Sequence, residues 1–199
     1  LEQAQMLAAG LKAALDGACH AVQPDALALA CEMILRARKV VFYGIGSSGI
    51  LAGLGRNALM NLGLTTDSYA EGYLQAVSSC FVTREDVVVA ISHSGTTADV
   101  VSATARAHEA GAFTIGITSD PASPLAGQTD VCLVTESAEV PTYGEFMQAR
   151  VGQTYLIYLL YLGVAMRMRD RAAVNLERAA EAVWTKSYGI SGDGHEGRG

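Results

Sequence analysis

Apolar positions recur at helical spacing over residues 2–19 and 24–38, and Pro24 falls near the first turn of the second stretch, where its missing N–H costs nothing. The period then changes. Lys39-Val-Val-Phe-Tyr43 is a short apolar run that ends in glycines, followed by a helical stretch from about Ser48 to Asn61 and a short strand at 65–69. Asp86-Val-Val-Val-Ala-Ile91 is the clearest strand, and behind it lies a helix over about 96–110 that Gly111 closes as a C′ glycine would. Phe113-Thr-Ile-Gly-Ile-Thr118 and Val131-Cys-Leu-Val134 repeat the theme, separated by the turn-rich Ser119-Asp-Pro-Ala-Ser-Pro124. From about 143 to 184 the pattern is helical again, ending near Trp184.

Five short apolar strands that alternate with helices imply right-handed βαβ crossovers and a parallel sheet covered on both faces. The expected fold class is therefore α/β, a doubly wound five-stranded sheet in the flavodoxin-like order 2-1-3-4-5, flanked by helices. The early and late helices are expected to cover the sheet and to supply an oligomer interface, in a dimer or tetramer.

Composition narrows the classes. A chain of 199 residues, 50% hydrophobic and 17% charged, fits one domain, taken here as 1–188; residues 189–199 are glycine-rich, almost without apolar residues, and read as a disordered tail. A formal charge of -6 and a pI near 5.1 oppose a grip on a nucleic-acid backbone, which needs a basic stripe. Any DNA contact is expected from residues outside this chain. Cys19, Cys31, Cys80 and Cys132 are far apart and show no C-x-x-C or Cys/His ligand spacing, so they read as reduced, buried thiols, with no metal and no cofactor. No secretory signal opens the chain, and Leu1 in place of Met suggests a fragment of a longer polypeptide. The apolar stretch Val151–Met168 is broken by Gln153, Thr154, tyrosines and a glycine, which makes it a core or interface helix; the expectation is a cytoplasmic protein with no membrane contact.

Two loops are chemically marked. In an open doubly wound sheet, ligands bind beyond the carboxyl ends of the strands, where the strand order reverses. Gly44-Ile45-Gly46-Ser47-Ser48-Gly49 follows the first strand and opens a helix; Ser92-His93-Ser94-Gly95-Thr96-Thr97 does the same after the third. Helix N-termini and loop N–H groups attract anions, glycines allow close backbone approach, and Ser48, Ser92, Ser94 and Thr97 offer hydroxyl donors. Neither loop contains Lys or Arg, so a phosphate would be held by dipoles and hydroxyls in place of ion pairs. The candidate phosphate site comprises Gly46, Ser47, Ser48, Ser92, His93, Ser94, Gly95, Thr96 and Thr97. Either loop alone also reads as a plain turn and N-cap; their occurrence at corresponding places in two βα units is what points to a ligand.

Gly44, Gly46 and Gly49 also match G-x-G-x-x-G, and Asp67 lies about the right distance onward to meet a ribose hydroxyl. A dinucleotide site gives no reason for Ser-x-Ser-Gly-x-Thr after the third strand. The pairing of Gly-x-Gly-x-Ser at 44–48 with Ser-x-Ser-Gly-x-Thr at 92–97 instead resembles the sugar isomerase (SIS) domain, over about residues 24–170. That resemblance implies a phosphosugar ligand held by Ser48, Ser92, Ser94 and Thr97. Ile91-Ser-His-Ser-Gly-Thr-Thr97, Ile117-Thr-Ser-Asp-Pro-Ala-Ser-Pro-Leu125 and the helical lead-in look most like the C-terminal domain of RpiR-type transcriptional regulators. A helix-turn-helix domain precedes the SIS domain there, so the resemblance implies an effector-sensing domain whose DNA contacts lie outside this chain.

The alternative is a sugar-phosphate aldose–ketose isomerase, which needs a base and an acid near the open-chain sugar. SIS isomerases supply a glutamate at the start of the helix after the last strand. By the resemblance that position falls on or near Arg150, and a shift of register brings Glu145 there. Glu145 and Arg150 are possible sugar contacts, and Glu145 and His93 are the weak catalytic candidates. His20 and His108 read as surface or packing residues, and His195 lies in the tail. The loops argue better for binding a phosphosugar than for converting one.

Overall fold

A computed structural model describes residues 1–135 and 145–184. Along the chain run α1 (Glu2–Ala21), α2 (Pro24–Arg36), β1 (Lys39–Gly44), α3 (Ser47–Asn61), β2 (Thr66–Tyr69), α4 (Gly72–Ser79), β3 (Asp86–Ile91), α5 (Ala98–Glu109), β4 (Phe113–Thr118), β5 (Val131–Val134), α6 (Glu145–Arg167) and α7 (Arg169–Trp184). The five strands form one parallel sheet in the order β2-β1-β3-β4-β5, the expected topology. The tail at 189–199 and His195 lie outside the described residues.

The central strands are apolar because both of their faces are covered. Val40, Phe42, Val87, Val89, Ile91, Ile115 and Ile117 pack under α2, α3 and α6 through Ile34, Leu59, Leu156, Leu160 and Val164. On the opposite face, Val41, Tyr43, Val88 and Ala90 meet Val100, Ala103 and Ala107 of α5. Each fully buried aliphatic side chain contributes roughly 1.5–3 kcal/mol relative to exposure. α1 packs along α6.

Several expectations need correction. β2 is Thr-Asp-Ser-Tyr, half-buried along its length, because an edge strand is covered less completely than a central one. The sequence reading did not include α4, an eight-residue helix. The late helical stretch is two helices that meet at Met168. Of the four thiols, only Cys31 is fully buried; Cys19 and Cys80 are exposed, and all four are free. Burial pushes the Cys31 and Cys132 thiols above their ordinary value. No helix among the described residues is long and apolar enough to cross a membrane. In the Val151–Met168 stretch, Leu156, Ile157, Leu160 and Val164 enter the core instead.

Candidate functional site

β1 and β3 are neighbours with Gly44 opposite Ile91, so the loops that follow them leave the sheet side by side. Adjacent strands lie about 4.8 Å apart. The N-termini of α3 and α5 therefore open at the same end of the sheet, over the point where chain order reverses.

The first loop is shaped by glycine for three different reasons. Gly46, the N-cap of α3, has φ +60°, a conformation other residues rarely adopt. A Cβ on Gly44 would strike the Ser48 carbonyl group, and one on Gly49 would lie 2.7 Å from the Ala70 Cβ. G-x-G-x-x-G here thus serves a tight strand-to-helix turn packed against the end of β2. Asp67 does not complete a dinucleotide site: it is the second residue of β2, and its carboxylate pairs with Lys39 at the opposite end of the sheet. From behind, the buried Gln75 of α4 donates its Nε2 to the Gly44 carbonyl (3.0 Å) and the Tyr69 carbonyl (2.9 Å), fastening the ends of β1 and β2 together.

In the second loop, Ser92 is buried and shares a 3.0 Å hydrogen bond with the Thr97 hydroxyl, which draws the two ends of the loop together. At the tip, the exposed hydroxyls of Ser94 and Thr96 lie 2.7 Å apart, and Gly95 turns the chain with φ +63°. His93 is half-buried. Ser94 and Thr96 thus face solvent at the mouth, while Ser48 and Ser92 lie deeper.

Arg150 changes the expected electrostatics. It lies on the second turn of α6, half-buried, and its Nη1 donates to Ser48 Oγ at 3.1 Å across 102 residues of sequence. Burial lowers its pKa, although a guanidinium stays charged at any working pH. Neither loop supplies a cation, as their sequences require, and Arg150, expected as a sugar contact, reaches the first loop from α6. Arg150 also borders an apolar cleft of about 370 Å³ lined by Leu15, Val151, Thr154, Tyr155 and Tyr158, between α1 and α6. Glu145 opens α6, and its side chain lies outside the described residues.

The other histidines stand apart from this end of the sheet. His108, near the end of α5, faces Asp130 and Thr114 at the start of the strands, and His20 lies on α1 against the Asp16 carbonyl. Sequence reasoning missed Gln75. Its signal is a glutamine at an apolar position of the stretch Tyr73-Leu-Gln-Ala-Val77. Among the described residues no cluster of His, Cys, Asp and Glu is arranged to hold a metal ion.

Comparison with known proteins agrees with this fold. The SIS domain model matches residues 33–163. An uncharacterized HTH-type transcriptional regulator from Caldanaerobacter subterraneus is 31% identical over 172 residues, which is 86% of this chain and 61% of the relative. The chain thus spans about three fifths of the length of the curated regulators it matches. Among solved structures, the sugar isomerase domain of an RpiR transcription factor from Sphaerobacter thermophilus superposes with a TM-score of 0.83 at 26% identity, covering 91% of this chain and 99% of that one. The Vibrio vulnificus NanR protein, solved with ManNAc-6P, shares the fold with a TM-score of 0.87 at 22% identity, over 93% of this chain and 70% of NanR.

Proposed function

The chain belongs to the SIS-domain family, and from that premise we propose that it is the phosphosugar-binding effector domain of a transcriptional regulator, with the ligand phosphate held between the Gly46–Ser48 and Ser92–Thr97 loops. The observation that carries this reading is the hydrogen bond from Arg150 to Ser48 beside two helix N-termini. Dipoles, hydroxyls and one guanidinium then meet a dianion whose charge a helix end alone would only partly offset. His93 lines the second loop as a sugar contact, and Arg150 approaches from α6.

The likeness to helix-turn-helix regulators supports the remainder. DNA is contacted by a helix-turn-helix domain beyond these residues, the protein works in the cytoplasm, and ligand binding shifts the arrangement of subunits and so of their DNA-binding domains. Such a shift requires different ligand affinity in the two arrangements. A homo-oligomer is supported by the apolar residues that α6 leaves exposed, Tyr158, Leu162 and Met166.

The test is calorimetric titration with a panel of aldose and ketose phosphates, N-acetylmannosamine 6-phosphate among them, run beside NMR assays for turnover. Binding that requires the phosphate, without turnover, is the expected result. Turnover abolished by Glu145→Gln would overturn the sensor reading in favour of an isomerase.

A further inference from the structure

The segment Thr118-Ser-Asp-Pro-Ala-Ser-Pro-Leu125 has no part in the site as described, yet it holds the second loop at several points. The His93 carbonyl accepts three hydrogen bonds from it: the Ser119 N–H at 2.9 Å, Thr118 Oγ1 at 3.0 Å and Ser119 Oγ at 2.8 Å. The Leu125 N–H donates to the Gly95 carbonyl at 3.0 Å, and Leu125 is itself wholly buried. A Cβ on Gly95 would land on the Ser123 side chain, so the loop lies directly on this segment. The Asp120 carboxylate accepts from the Ala122 N–H at 2.8 Å, and the Asp120 carbonyl from the Ser123 N–H at 3.2 Å, which makes the segment a self-braced turn.

Three donors on one carbonyl exceed its two lone pairs and fix the plane of the His93–Ser94 peptide. In a trans peptide the N–H points opposite the C=O. β3 lies between β4 and β1, and Thr118 ends β4. A carbonyl pinned toward β4 therefore turns the Ser94 N–H toward the side of β1 and the first loop. That N–H donates to no other described residue.

We propose that Thr118 and Ser119 are positioning residues of the phosphate site: by pinning the His93 carbonyl they aim the Ser94 N–H at the ligand anion. The inference rests on the phosphate reading of the two loops and adds to it a function for hydroxyls that do not touch the ligand. It also explains why a hydroxyl residue ends β4 and another follows it, where an aliphatic residue at the buried Thr118 would otherwise suit the core.

The test uses isotope-labelled protein and inorganic phosphate as the probe, followed by amide shifts. The Thr118→Val/Ser119→Ala double variant should bind phosphate about tenfold more weakly and show a smaller Ser94 amide shift, with two of the three bonds removed. The hydroxyl-retaining exchange Thr118→Ser/Ser119→Thr should stay within about twofold of the parent, which a merely structural role in packing would not predict. Undiminished affinity of the double variant, or equal loss in both variants, would overturn the proposal. A through-bond coupling from the Ser119 N–H to the His93 carbonyl, measured without phosphate, tests the pin independently: its absence sinks the inference alone. Phosphate that moves neither loop in the parent sinks the phosphate reading, and the inference with it.

Discussion

The two ends of the sheet use polar groups in opposite ways. At the amino ends of the strands the carboxylates take their partners from within the chain. Asp86, nearly inaccessible, accepts from Arg38 Nη2 at 2.8 Å and from the Thr83 N–H and hydroxyl; Asp67 pairs with Lys39; Asp130 accepts from the Thr114 N–H at 2.8 Å and its hydroxyl at 2.9 Å. At the carboxyl ends the loops carry glycines, hydroxyls and helix N-termini, and among the described residues the exposed tip hydroxyls of Ser94 and Thr96 are paired only with each other and the Thr96 N–H. The first arrangement turns its hydrogen bonds inward, tying strands and their connections together. The second leaves capacity facing solvent, as a site for an external anion requires.

If this division is right, changes at the amino end cost stability and changes at the carboxyl end cost affinity. The largest effect is expected from Asp86→Ala, which removes the buried acceptor of the Thr83 N–H and hydroxyl and of the Arg38 guanidinium and should lower stability by about 2–3 kcal/mol in urea melts, with phosphosugar affinity unaltered. Next, Arg150→Ala should weaken phosphosugar binding about 30-fold by calorimetry, since a charge-assisted contact contributes about 2 kcal/mol. An Arg150→Ala chain that melts early and binds normally would reverse the assignment. Ser94→Ala combined with Thr97→Ala should weaken binding more than tenfold; unchanged affinity would show that the second loop is not the phosphate loop.

Smaller effects sharpen the same contrast. Tyr43, buried beneath the first loop and hydrogen-bonded to Ser78 at 3.1 Å, has its pKa pushed up to about 12, chiefly by burial. The folded chain then keeps a proton that the unfolded chain releases above the ordinary tyrosine value of 10.0, so stability is full below about pH 10 and declines as pH rises toward 12. Tyr43→Phe should remove that part of the decline in alkaline denaturation curves. Least of all, Lys39→Ala breaks a half-buried, solvent-screened pair and should cost about 1 kcal/mol.

Sequence alone carried much of this, and unevenly. β1, β3 and β4 were legible because strands buried on both faces must be apolar throughout, and the parallel, doubly wound sheet followed from the alternation with helices. The two loops were legible because local chemistry, glycine plus hydroxyl at a strand-to-helix turn, is written in consecutive residues. What escaped depends on distance or on mixed composition. α4 is short, begins at a glycine and ends in two serines, so its pattern is weak, and the bracing by Gln75 disappeared with it. The meeting of Arg150 with Ser48 spans 102 positions and is set by how α6 crosses α3, which no local pattern encodes. Asp67 shows the converse: its spacing suited a ribose contact, but its place early in β2 turned it to the wrong end of the sheet.

The central claim is that one phosphorylated sugar is held by both loops at once. The most direct measurement is the amide spectrum of the labelled chain titrated with a binding sugar phosphate and, separately, with its dephosphorylated sugar. The account predicts that only the phosphorylated ligand perturbs the chain, with the largest shifts at Gly46–Ser48 and Ser92–Thr97 together. Shifts confined to one loop, equal shifts with the dephosphorylated sugar, or shifts centred at the amino ends of the strands would contradict it.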